Sequence, residues 1–168
     1  CALQGYSMMR IQAVDLFLLA CFRPPFKGIQ YGQVGWLPQR AEDIQFNKDA
    51  VDRFDYLLAC LKKNGIYINL DLMNRGYSNC ASLPAGVSSK EILFNPEWRR
   101  HWEAAVGFIL NHSNPYTGMK LKDDPAIAII EPLNEQDLLL YDKAFMSKLT
   151  PSFKEFLRSK YTNEQSLQ

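Results

Sequence analysis

No apolar run in this 168-residue chain approaches the about 18 consecutive residues that a membrane-spanning helix takes. The longest runs, at 16–22 and 126–130, stop far short, so no membrane association is expected. Metal-ligand chemistry is thinly supplied. There are 2 histidines and 4 cysteines, and none of the cysteines has C-x-x-C or related spacing. No metal centre and no cofactor are therefore expected. Charge of one sign is also missing: 19 Lys and Arg balance 18 Asp and Glu for a net +1. Without a basic stripe there is no footprint for nucleic acid. No glycine-rich turn follows any candidate strand, which argues against a nucleotide cradle. The chain lacks an initiator Met and a signal peptide, and begins Cys1-Ala2-Leu3 inside sequence that reads as folded. A mature secreted protein or a fragment starts this way.

What is present is an ordinary globular composition, 47% apolar and 22% charged. It fits one domain over residues 1–168. Residues 8–14 read as a strand. A long Gly- and Pro-punctuated connection follows over 15–46, carrying Tyr31 and Trp36; connections of that length are usually functional. Val51, Phe54, Leu57, Leu58 and Leu61 make one apolar stripe at helical spacing, with Asn47 or Asp49 as cap. Within it, Cys60 reads as a buried free thiol. Asp52 and Asp55 stand early and Lys62 and Lys63 late, as the helix dipole favours. Asn64-Gly65 ends the helix as a left-handed cap, and a strand follows at 66–72.

A second long loop, 73–95, carries Tyr77. Pro96 suits the first turn of a helix whose buried face holds Trp98, Trp102, Ala105, Val106, Ile109 and Leu110. His101 and His112, on or just after this helix, read as structural or surface residues. An apolar β-branched run at 126–131 reads as a buried strand, stopped by Pro132 and followed by Asn134-Glu135. Two helical stretches are expected after it, near 141–148 and from Thr150-Pro151 to about residue 160, the second with Ser152 and Glu155 in capping-box spacing. Repeated strand–helix units mean a parallel sheet of the α/β class. Long loops after each strand favour a barrel with its working face on that side.

Several segments together resemble a known group. They are Lys62-Lys63-Asn64-Gly65-Ile66-Tyr67, Asn114-Pro115-Tyr116-Thr117-Gly118, Leu121-Lys122-Asp123-Asp124-Pro125-Ala126 and Asn134-Glu135. The chain is similar to cellulase-like (β/α)8 glycoside hydrolases of clan A, of the family 5 type, over most of its length. The resemblance implies a partial TIM barrel, roughly barrel strands two to four with helices two to four, since a whole barrel takes about 250 residues. It implies a carbohydrate substrate and a secreted or periplasmic setting. It makes Glu135 the general acid/base, Asn134 the contact to a sugar 2-hydroxyl and Arg10 the arginine of the second barrel strand. The nucleophile then lies outside this chain.

Retaining glycosidases set two carboxyl groups about 5–5.5 Å apart across the scissile bond. One must hold a proton near neutral pH. Spacing alone leaves Glu135 open between that role and a solvated loop carboxylate, with Asn134 as a helix cap. Glu131 reads as the ion-pair partner of Arg10. Asp15 either lines the site or caps a turn. Trp36 and Tyr77 are candidate sugar-stacking residues on the loops. Relatives often carry histidines where Gln12, Ala13 and Met73 stand here; Gln12 can still hydrogen-bond a sugar. These departures support a second reading, a non-catalytic carbohydrate-binding or interaction protein on a decayed half-barrel. Either way, two open sheet edges make self-association expected.

Overall fold

Residues 2–12, 14, 40–44, 46–73, 89–134 and 142–161 are described by the structure, a computed structural model. In chain order its elements are β1 (Met8–Ile11), α1 (Lys48–Lys63), β2 (Tyr67–Asp71), α2 (Pro96–Asn111), β3 (Ser113–Asn114), β4 (Met119–Lys120), β5 (Ile127–Glu131) and α3 (Lys143–Lys160). The chain divides into two compact units, 1–134 and 135–168.

In the first unit, β1, β2 and β5 form a parallel sheet in the order β1-β2-β5. Sequential strands are spatial neighbours, as they are around a barrel, but among the described residues the sheet does not close. Each helix has a local cause. Asn47 caps α1, its side-chain oxygen accepting from the Ala50 N–H at 3.1 Å. Gly65 ends it with φ +69, a left-handed conformation that costs glycine little. Pro96 opens α2 behind Asn95, which accepts from the Glu97 N–H at 2.9 Å.

Alternation along the strands separates the two faces of the sheet. Met9, Ile11, Ile68, Leu70 and Ile127 join Val51, Leu58 and Leu61 of α1 and Ile109 of α2 in one core. Arg10 is in register with Asn69, and Asp71 with Glu131, on the other face. A bulge makes the second pairing work. Ile68 pairs with Ile127 and Asn69 with Ile129, so Ala128 is an extra residue in β5. Strict alternation would turn Glu131 toward the helices with Ile127; the inserted residue turns it toward Arg10 instead.

Several expectations need correction. The first strand ends at Ile11 rather than at residue 14, and Val14 is already helical and buried. The strand expected to be buried at 126–131 is largely exposed, because β5 pairs only with β2 among the described residues and its face toward Arg10 is open. Leu57 is exposed, and Asp55, expected among the early acids of α1, is buried. Its Oδ2 takes a 2.6 Å hydrogen bond from His112 Nε2, and its backbone carbonyl accepts from Asn114 Nδ2 at 2.9 Å. The short β3–β4 hairpin responsible for that contact lies where only a helix stop was expected. Of the two readings left open for His101, structural or surface, its burial supports the structural one. Cys60 is free but only half-buried.

In the second unit the two expected helices are one, α3, running through Pro151. Asp142 caps it, accepting from the Ala144 and Phe145 N–H groups, so Ser152 starts nothing. A proline inside a helix removes one backbone bond without ending the helix when the flanking turns hold.

Candidate functional site

The C-terminal end of the parallel sheet gathers a polar group around one cation. Arg10 projects from β1 onto the open face, and its Nη2 donates to Glu131 Oε2 and, at 2.7 Å, to Asn134 Oδ1. Asp71, wholly buried, stands 3.8 Å from the same nitrogen. The backbone fixes these partners. The Leu72 N–H donates to the Glu131 carbonyl, and the Asn134 N–H to the Met73 carbonyl, both at 2.9 Å. The β2–β5 ladder is thereby extended past both strands and holds Asn134 at their ends. Asn134 is 7% exposed, so it is a buried amide with its acceptor end occupied by a guanidinium.

The ion pair contributes little to stability. Arg10 is 39% exposed and Glu131 38% exposed, so their pairing is worth at most about 1 kcal/mol. Its consequence is orientation: one guanidinium bridges β1, β2 and the segment after β5.

The expected site residues divide into two sets. Arg10, Asn134 and Glu131 are brought together. Gln12 is exposed, one residue past β1. Glu135, Asp15, Trp36 and Tyr77 lie outside the described residues. Trp98 and Trp102 pack in a second small core with Met73, Ile92 and Leu133, as expected of non-subsite residues. The sequence reading missed Asn69 and Asp71. The signal was available: two polar residues at period two inside an apolar strand must share a face, and a buried face with polar residues needs a partner. Among the described residues no group of His, Cys, Asp and Glu could hold a metal ion.

No protein-family model matches the chain, and none of the curated proteins matches it. Solved structures do. The structure of the hyperthermostable endo-1,4-beta-D-mannanase from Thermotoga petrophila RKU-1 with maltose and glycerol matches at TM-score 0.58 and 22% identity, over 92% of this chain and 43% of that one. The X-ray structure of the endo-beta-1,4-mannanase from Thermotoga petrophila matches at TM-score 0.45 and 20% identity, over 56% of this chain and 23% of that one. The chain thus spans less than half the length of either. The first likeness shows the fold: this is an α/β chain with the architecture of part of a TIM-barrel glycoside hydrolase, and it forms no closed barrel among the described residues.

Proposed function

We propose that residues 1–168 form one partial-barrel domain of a retaining β-glycoside hydrolase acting on an oligo- or polysaccharide. The observation that carries this reading is the Arg10–Asn134 bond at the C-terminal end of the parallel sheet, one residue before Glu135. Barrel enzymes keep their chemistry at that end. The mannanase structure matched at TM-score 0.58 suggests the linkage to try first, a β-1,4 bond between hexoses.

In this mechanism Glu135 is the general acid. It protonates the glycosidic oxygen as a carboxylate from outside this chain attacks the anomeric carbon, and the leaving alcohol departs. Glu135, now ionised, takes a proton from water as that water displaces the carboxylate. Asn134 offers an N–H to the hydroxyl next to the anomeric carbon, and Arg10 keeps the amide turned the right way. Hydrogen bonds to this hydroxyl strengthen in the transition state and, with distortion of the sugar ring, contribute roughly several kcal/mol. The test is hydrolysis of an aryl β-mannoside and an aryl β-glucoside by the chain, alone and mixed with a second chain carrying barrel strands five to eight. Cleavage that Glu135→Gln leaves untouched rules the role out.

A second reading, a non-catalytic carbohydrate-binding protein, is favoured by Met73. It is fully buried among Ile92, Trp98, Trp102 and Leu133, where a polar group contacting sugar would be expected to face the site. Under either reading the outer edges of β1 and β5, unpaired among the described residues, are proposed to support self-association.

A further inference from the structure

The β3–β4 hairpin and the outer side of α1 hold two exposed tyrosines in a fixed relation. Tyr56, on α1, is 58% exposed, and Tyr116, in the hairpin turn, is 50% exposed. Their rings meet edge to face, with centroids 5.4 Å apart and an interplanar angle of 70°. Single exposed apolar residues are common and call for no explanation. This pair differs because polar groups fix Tyr116 in place, against the ring of Tyr56. The Tyr116 hydroxyl donates to Asp52 Oδ1 at 2.7 Å. The Tyr116 N–H donates to Asn114 Oδ1 at 2.8 Å, and the Thr117 N–H to the same oxygen at 3.3 Å. Asn114 is itself buried and anchored to the Asp55 carbonyl. Gly118 completes the turn at φ +69. Below the hairpin, Lys62 Nζ bonds Asp124 at 2.9 Å and Met119 Sδ at 3.2 Å.

We propose that Tyr56 and Tyr116, with Asp52 on their rim, form a second carbohydrate-binding platform, on the opposite side of the sheet from Arg10. Its ligand is a neutral β-linked hexose oligosaccharide. Such a sugar has C–H faces that lie on aromatic rings and an equator of hydroxyl donors. The Asp52 carboxylate accepts from hydroxyls and repels anions, which disfavours phosphorylated ligands and acidic surfaces. Hydrogen bonds to Asp52 and to Cys60 push the Tyr116 and Tyr56 phenols above their ordinary range, so both rings stay neutral at physiological pH. Tyrosines already fixed in place lose little conformational freedom on binding, which favours recognition. The ligand class rests on the carbohydrate reading above; the site does not depend on Glu135.

The experiment is titration of the full chain with β-1,4-linked hexasaccharides of mannose and of glucose, read by NMR and calorimetry. Tyr56→Ala and Tyr116→Ala are compared with Tyr6→Ala, a control at another exposed tyrosine. Tyr56 sits on an exposed helix position where alanine is a good helix former, so that variant keeps its fold even if the turn variant does not. The proposal expects binding weakened at least about fivefold by Tyr56→Ala, the scale of an aromatic contact residue, and unchanged by Tyr6→Ala. Binding of neither hexasaccharide, or binding unaffected by both Tyr56→Ala and Tyr116→Ala, overturns it. Tyrosine-dependent binding without hydrolysis by any complemented chain sinks the enzyme reading alone; Glu135-dependent hydrolysis with tyrosine-independent binding sinks the platform alone.

Discussion

Replacing His112 by alanine removes the partner of a carboxylate that water cannot reach. Asp55 is 1% exposed, its Oδ1 has no hydrogen-bond partner among the described residues, and its Oδ2 depends on His112 Nε2 at 2.6 Å. Breaking a buried pair from one side costs about 3–5 kcal/mol. His112 is 24% exposed and water can partly replace it, so about 2–3 kcal/mol is expected here. Asp55→Asn should behave differently. The amide keeps an oxygen to accept from His112 and carries no charge to desolvate, so its cost should stay within about 1 kcal/mol. Burial, the largest influence on Asp55, raises its pKa above the ordinary 3.8, with His112 opposing and Asp52 adding to the rise.

The sign follows from linkage. A group whose folded pKa is raised binds its proton more tightly in the folded state. Its stabilising contribution is complete below the unfolded value and is lost as pH rises through the folded one. From about pH 4 toward neutrality the wild type should therefore lose stability relative to Asp55→Asn. Urea unfolding followed by the fluorescence of Trp98 and Trp102 measures all three proteins across that range. An Asp55→Asn variant as damaged as His112→Ala, or a gap between it and the wild type that ignores pH, would show that desolvation of the Asp55 charge does not govern this site.

Leu70→Ala, at a position with no exposure in the sheet centre, should cost about 2–5 kcal/mol in the same urea assay. Gly65→Ala should cost about 1 kcal/mol, because φ +69 is strained for any residue with a Cβ, even though the added Cβ would meet no non-adjacent atom of the described residues within 4 Å. Pro151→Ala should raise the helix content of α3 in circular dichroism, since it restores a backbone donor in the helix interior. Light scattering at increasing protein concentration should detect dimers or larger species; a monodisperse monomer throughout would contradict pairing through the open edges of β1 and β5.

The parallel strand–helix order, both helix caps of α1 and the Pro96 start of α2 were legible because each rests on local chemistry. The Arg10–Glu131 pair was legible too, from a charged residue at the end of an apolar strand. What was hidden depends on the third dimension. The Ala128 bulge cannot be read from Ile127-Ala128-Ile129-Ile130, yet it decides which way Glu131 faces. Asp55 matched the acidic first half of α1, and only the docked hairpin explains its burial. Pro151 after Thr150 imitates a helix start, but the continuous turns on either side of it outweigh the one lost bond.

The most direct test of the central claim is hydrolysis of an aryl β-1,4-linked oligosaccharide by the chain complemented with barrel strands five to eight. Cleavage should fall about 10²-fold or more with Glu135→Gln, the usual share of a general acid. Asn134→Ala should also lower it, and Arg10→Met should partly reproduce that loss by releasing the amide. Equal rates for the wild type and Glu135→Gln would contradict the general-acid role of Glu135.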